Sequence, residues 1–167
     1  SGVVINDDDY TTINLNDGGA HYVISGLGGD TVFGNSGADI VLSGGGNDTV
    51  YGNAGDDQLY GGDGNDLLYG GSGTNILDGG KGNDTIYIQG TADNVSAGAG
   101  NDLVIYANGA NGAIVADGGD GIDTFRTGGN ISAVTLSHFE KLELDGNVTL
   151  TAAQLAAFSV VAGIAPS

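Results

Sequence analysis

The 167-residue chain has no cysteine. Disulfides, thiolate zinc sites and thiol catalysis are therefore excluded, and an extracellular protein of this composition must be stabilised by something else. Basic residues are nearly as scarce. Lys81, Lys141 and Arg126 stand against 21 acids, for a formal net charge of −18. Nucleic acid and anionic membranes need a basic surface, so neither is an expected partner; hard cations are. Glutamate is almost missing too, since every acid except Glu140 and Glu143 is Asp. A solvated acidic surface usually mixes the two. No stretch is long and apolar enough to cross a bilayer, so membrane insertion is not expected. No secretory leader is expected at Ser1-Gly2, and the chain is expected to be one module of a longer protein. There are two histidines, His21 and His138, and no HExxH motif.

What the chain has in excess is Gly, 34 residues, without the three-residue period of collagen. It has a nine-residue period instead. From Ser25 the chain divides into SGLGGDTVF, GNSGADIVL, SGGGNDTVY, GNAGDDQLY, GGDGNDLLY, GGSGTNILD, GGKGNDTIY, IQGTADNVS and AGAGNDLVI, and after an irregular stretch comes GGDGIDTFR, Gly118 to Arg126. The sixth position is Asp30, Asp39, Asp48, Asp57, Asp66, Asn75, Asp84, Asp93, Asp102 and Asp123. The eighth is apolar in every copy: Val32, Val41, Val50, Leu59, Leu68, Leu77, Ile86, Val95, Val104 and Phe125. A strict register of this kind argues for a repeat fold rather than disorder.

Nine residues hold a six-residue turn and a three-residue strand. Side chains alternate along a strand, so position 8 faces inward and positions 7 and 9 outward. Two units complete a coil of 18 residues, which stacks alternate units into two parallel sheets with turns along both edges. The edges are unequal. Odd copies all carry Gly at position 2, and Asn47, Asn65, Asn83 and Asn101 recur in odd copies only; even copies carry Asn35, Asn53, Gly71 and Gln89 at position 2. Tyr106–Asp117 reads as an even unit with a three-residue insertion, which keeps Asp123 in line with Asp102. Asn16–Ile24 fits the register with His21 in place of Asp, and capping is the favoured role of His21 over metal ligation. Beyond Arg126, a strand-like Phe139–Leu144 precedes a capping box at Thr151 and Gln154, with a short helix over about Ala152–Phe158 that places Leu155 and Phe158 on one side. Glu140, Glu143 and Asp145 are expected to be solvated. The expected domains are an N-terminal cap at 1–24, the repeat array at 25–126 and a C-terminal cap at 127–167.

The copies GGDGNDLLY, GGKGNDTIY and GGDGIDTFR closely resemble the repeats-in-toxin (RTX) calcium-binding nonapeptide. The resemblance covers about Ser25–Arg126. It implies an all-β, right-handed parallel β-roll, several calcium ions held between stacked turns, type I secretion from a bacterium, and folding on meeting extracellular calcium. Carried over by residue, each ion would lie between sixth-position side chains of adjacent turns. On the odd edge the pairs are Asp30/Asp48, Asp48/Asp66, Asp66/Asp84, Asp84/Asp102 and Asp102/Asp123. On the even edge Asp39/Asp57 is fully matched, whereas Asn75 lacks a charge and Thr91 replaces the Gly before Asp93, so sites beyond Asp57 are expected to be weaker. The tail with FEKLEL and the Ala-rich segment resembles regions that follow such repeats in bacterial S-layer proteins and adhesins.

The leading functional expectation is a calcium-dependent structural module of an exported surface protein, joined to other domains. A second is the non-catalytic module of a secreted enzyme. A third is a ligand face for carbohydrate or ice, formed by Phe33, Tyr51, Tyr69, Tyr87 and Ile105 beside Thr31, Thr49, Leu67, Thr85, Leu103 and Thr124; simple cross-strand stacking is the plainer account of that ladder. Catalysis within the chain is not expected, because no Ser/His/Asp set or zinc motif is present.

Overall fold

The computed structural model describes residues 2, 10–106, 112–158 and 160–164, the last five by backbone alone. Parts of the expected irregular unit and of both expected caps lie outside the described residues. The described strands run in the order β1 (Thr12–Asn14), β2 (Tyr22–Ile24), β3 (Thr31–Phe33), β4 (Ile40–Gly45), β5 (Thr49–Tyr51), β6 (Gln58–Asp63), β7 (Leu67–Tyr69), β8 (Ile76–Lys81), β9 (Thr85–Ile88), β10 (Asn94–Gly100), β11 (Leu103–Tyr106), β12 (Val115–Gly121), β13 (Thr124–Thr127), β14 (Thr135–Ser137), β15 (Lys141–Asp145) and β16 (Val160–Ile164). A short helix, α1 (Ala152–Ala156), separates the last two.

The strands form two parallel sheets. Odd-numbered strands β1 to β15 pair in sequence with β16 added beside β15, and even-numbered strands β2 to β14 make the other sheet. Within the repeats, partners are 18 residues apart, as in Thr31↔Thr49 and Val41↔Leu59. Across the irregular unit the offset rises to 21 in both sheets, Asn94↔Val115 and Leu103↔Thr124. The three extra residues are thus absorbed without loss of register, as the spacing predicts.

All ten position-8 side chains are buried, Phe125 among them. They are not the whole interior. Extended backbone runs on either side of each strand, so the alternation also turns position 6 and position 1 of the following unit inward. The sixth-position residues are at most 2 % exposed. Position 1 supplies Ser25, Ser43, Ile88 and Ala97 to the same interior. Each unit therefore buries an apolar side chain, a sixth-position side chain that is a carboxylate in all but the Asn75 unit, and a mostly small residue, rather than one residue in nine.

The ends differ from the sequence expectation in detail. The N-terminal segment continues the coil, with β1 on β3 and β2 on β4, and buries Ile13, Leu15 and Val23. The C-terminal segment adds β14 to one sheet and β15 and β16 to the other. Helix α1 is shorter than expected. Its Thr151–Gln154 capping box is present, but none of its residues is buried and Leu155 is 48 % exposed. Phe158 is buried beyond the helix end, so the helix has no apolar face of the kind predicted. Closure comes from strands and from Ile131, Val134, Phe139 and Leu142, with Phe139 edge-on to Phe125 at 5.5 Å between ring centroids.

Candidate functional site

Along the odd edge the sixth-position carboxylates form a continuous ladder. The Asp30 N–H donates to Asp48 Oδ1 at 2.6 Å, and Asp48, Asp66, Asp84 and Asp102 donate likewise to the carboxylate one coil on, at 2.7–2.8 Å. Thr11 donates to Asp30 at one end and Asp123 to Glu140 at the other. One oxygen of each aspartate is thereby fixed. The other is not: Oδ2 of Asp30, Asp48, Asp66, Asp84, Asp102 and Asp123 is buried without a hydrogen-bond partner. Buried polar atoms normally have partners, and an unpaired carboxylate oxygen is costlier than a neutral one. Six such oxygens in line on one edge favour a positive charge beside them.

The even edge has the same ladder but few such oxygens. His21 donates its N–H to Asp39 Oδ1, Asp39 to Asp57, Asp57 to Asn75 and Asn75 to Asp93, at 2.8–3.0 Å. Asp39 Oδ2 accepts from Asn35 N–H at 3.3 Å, and Asp93 Oδ2 from Gly90 N–H at 3.0 Å. The Asn75 amide donates to Gly71 O at 3.4 Å. Only Asp57 Oδ2 is left unpartnered in this row.

Position 2 of the turn accounts for the difference. In every odd unit it is Gly with φ between 95° and 115°, and in the Asp57 unit it is Asn53 with φ 71°. Asn is among the few side chains that tolerate this region. In the Asp39 and Asp93 units position 2 is Asn35 and Gln89, neither with positive φ, and there a backbone N–H of the turn points at the turn's own carboxylate. The left-handed residue turns that donor away. Asn53 is the least visible of these turn residues in the sequence, where it reads as one more departure from Gly.

The same glycines stack carbonyl oxygens beside the row. A Cβ at Gly62 would collide with Gly44 O, and one at Gly64, φ +141°, with Gly46 O. A Cβ at Gly61 or Gly79 would fill the space against Asp66 Oδ2 or Asp84 Oδ2. The site residues are thus carboxylate and carbonyl oxygens held in a cradle that only Gly leaves open. Such an all-oxygen set suits a calcium-like cation, which takes six to eight oxygens in flexible geometry. The turns of the repeat units contain no His or Cys, the side chains that transition metals favour. Among the described residues no three His, Asp or Glu side chains converge as a ready-made cage. The donors are spread one carboxylate per turn, so a site needs two turns and their backbone.

Burial dominates the electrostatics. It pushes the carboxyls of Asp48 and Asp84 up to about 7, against the neighbouring backbone N–H that stabilises the anion, with adjacent aspartates of the row adding to the rise. Asp57 is pushed up to about 6 for the same reason. Asp66, Asp93, Asp102 and Asp123 are raised as well, burial again leading. Two unit charges one strand spacing apart, ~5 Å, repel by roughly 3 kcal/mol at an effective dielectric of 20. Burying one aliphatic side chain contributes about 1.5–3 kcal/mol. The two effects are of comparable size, so the ionised rows offset much of what the apolar core contributes when no counter-charge is present.

The remaining predicted residues have structural partners. His21 is buried at the head of the even row, with Nδ1 3.1 Å from Asp39 Oδ1 and Nε2 3.1 Å from Asp17 Oδ1, so both ring nitrogens have partners. His138 Nδ1 lies 2.6 Å from Asp117 Oδ1. Glu143 pairs with Arg126 at 2.6 Å, and Glu140 ends the odd row; neither is simply solvated, whereas Asp145 is exposed. Leu142, two residues after Glu140 and buried, repeats the spacing of Asp and aliphatic in the units and could have revealed Glu140 in the sequence. On the outer face Phe33, Tyr51, Tyr69 and Tyr87 stack at 4.5–4.9 Å with planes within 12°. Interior faces of the column are spent on neighbouring rings, which leaves edges rather than a flat platform for a sugar.

No helix among the described residues is long and apolar enough to cross a membrane. Residues 24–59, 51–86 and 88–112 match the RTX calcium-binding nonapeptide repeat in its four-copy form. No curated protein and no solved structure matches the chain. The matched stretches together span more than half of the sequence and contain nine of the ten sixth-position residues, so the chain belongs to the RTX calcium-binding nonapeptide repeat family and its roll is a calcium-binding structural module.

Proposed function

We propose that this chain is the calcium-dependent structural module of an exported bacterial surface protein of the S-layer or adhesin kind, and that the roll forms when the chain meets extracellular calcium. The observation that carries the reading is the file of unpartnered, buried Oδ2 atoms on the odd edge. Asp30, Asp48, Asp66, Asp84, Asp102 and Asp123 would hold ions there with the Gly carbonyls of adjacent turns. Asp39, Asp57, Asn75 and Asp93 would serve the even edge less well. A bound ion supplies the positive charge that the rows lack, and the carboxylates must be deprotonated to receive it. Binding and folding are then one event, because half-formed turns hold neither the carboxylates nor the carbonyls in place. Export fits the family, whose repeats typically occur in secreted bacterial proteins. The cap strands and the outer faces are where further domains of a longer protein would adjoin.

Circular dichroism tests the central point. In chelator at low ionic strength the chain should be largely unfolded, and millimolar calcium should produce the β spectrum. Magnesium should not substitute, since it demands a smaller octahedron and sheds water reluctantly. A full β spectrum in chelator, or an equal response to magnesium, would sink the reading. Secretion and surface display are tested separately by fractionating cells that express the full-length gene product.

A further inference from the structure

The odd row does not end with the last repeat. Glu140 Oε2 accepts the Asp123 N–H at 2.8 Å, as Asp123 accepts that of Asp102. The Lys141 N–H donates to Asp123 O at 3.0 Å, as the Thr124 N–H donates to Asp102 O at 2.8 Å. Leu142 then takes the inward place of position 8 opposite Phe125, and Glu143 the outward place opposite Arg126. Glu140 therefore stands at position 6 of one more odd rung, although it lies outside the repeats.

The turn before it is contracted. Asp117 pairs with Ser137, an offset of 20, but Asp123 is followed by Glu140 after only 17 residues. Three residues of the usual six-residue turn are missing, and His138 accepts φ +53° within the short link. A longer acid at position 6 offsets the shorter turn. Asp123 itself is fully buried, and its Oδ2 has no partner. The charges that bear on it from the adjoining segments, Glu140, Asp117 and Asp120, are all acidic. His138, the base within the link, is engaged by Asp117.

We infer that Asp123 and Glu140 form a further divalent-cation site, which fastens the C-terminal strands β14 and β15 to the roll. The inference rests on the calcium reading of the rows and extends it past the last nonapeptide. It gives the C-terminal segment the same requirement for metal as the repeats, so the segment would dock when the roll has loaded.

The test uses the whole chain and its Glu140→Gln and Glu143→Gln variants. Calcium bound per chain is measured by equilibrium dialysis and metal analysis, and amide hydrogen exchange is followed at residues 49–51, 67–69 and 141–145. Gln at 140 retains an acceptor for the Asp123 N–H but not the charge, so the repeat strands 49–51 and 67–69 should exchange as in the parent. Glu140→Gln should bind one ion fewer and exchange at least about tenfold faster at 141–145 in saturating calcium, the scale on which loss of a supporting group weakens a metal site. Glu143→Gln loses the Arg126 pair and should keep the parent ion count. An unchanged ion count in Glu140→Gln, or an equal loss in Glu143→Gln, would overturn this site while the repeats still bound calcium. A parent chain that bound no calcium would overturn the reading of the whole roll.

Discussion

The two turn edges carry the same residue type at the same position of the same period, yet they differ in what they leave open. All six odd-edge aspartates keep a buried, unpartnered oxygen, and on the even edge Asp57 alone does. An aspartate at position 6 is therefore not sufficient to leave an oxygen open. The turns also differ in whether their own N–H groups reach the carboxylate, and that difference follows the φ of position 2. Gly has positive φ there throughout the odd edge, Asn53 and Gly71 have it on the even edge, and the units with Asn35 and Gln89 satisfy their own carboxylates. The presence of Asp alone overcounts the turns that leave a buried oxygen unpartnered.

The largest effect expected from this contrast follows removal of a mid-row carboxylate. On the proposed pairing Asp66 serves the ions it shares with Asp48 and Asp84, so Asp66→Ala would take a ligand from two odd-edge sites and interrupt stacking of coils in both directions. The calcium midpoint for folding should rise roughly tenfold or more, the scale on which loss of a supporting group weakens a metal site. Asp57→Ala and Asp30→Ala should each raise it clearly less, the first because its neighbours Asp39 and Asn75 are already satisfied and the second because Asp30 begins its row. Parallel calcium titrations of the three variants decide the matter. Equal midpoints for Asp66→Ala and Asp57→Ala would erase the distinction between the edges.

Acidity should act with opposite sign in the absence and presence of calcium. Burial raises the folded-state carboxyls of Asp48 and Asp84 to about 7 and of Asp57 to about 6. A raised acid favours the fold while protonated, so this contribution is complete below the ordinary Asp range near ~4 and is lost as pH climbs through about 6–7. In chelator, acidification from about pH 8 to about pH 4 should therefore increase the β signal. With calcium present, the same protons compete with the ion, and the midpoint concentration should rise as pH falls. A chelated chain whose β content declined steadily over that acid range would contradict the burial of the rows.

A smaller effect should follow from repairing the even row. Asn75→Asp replaces an amide that donates to Gly71 O with a carboxylate between Asp57 and Asp93. Calcium bound per chain should increase, measured by dialysis, and the even edge should approach the odd one in occupancy. No gain would mean that position 6 is not what limits this edge. The smallest effect is expected on the outer ladder. Tyr69→Ala removes stacking with Tyr51 and Tyr87 and should lower the stability of the calcium-loaded chain by about 1–2 kcal/mol. Its ion count should stay that of the parent, since the ring lies on the opposite side of the strand from the carboxylates. A lost ion in Tyr69→Ala would tie the ladder to the sites.

The sequence by itself determined the coil. A nine-residue period with an aliphatic residue at position 8 admits one inward stripe per unit, and the recurrence of Gly44, Gly62 and Gly80 at 18 residues assigns alternate units to one edge. It also determined that Asp123 stays in line with Asp102, because an insertion of three residues before Gly118 leaves the alternation of edges intact. The burial of the aspartates was implicit in the same alternation, since positions 6 and 8 have equal parity, but it is easily missed when acids are assumed to face water. Only the tertiary structure decided which carboxylate oxygens lack partners. That depends on the φ of a residue such as Asn53 and on whether N–H groups of the same turn, as at Asn35 and Gly90, point at the carboxylate. It also decided that Glu140 is a rung and that His21 heads the even row with both ring nitrogens engaged. These residues reach the rows through a shortened turn and an added coil, where spacing along the chain no longer reports position in space.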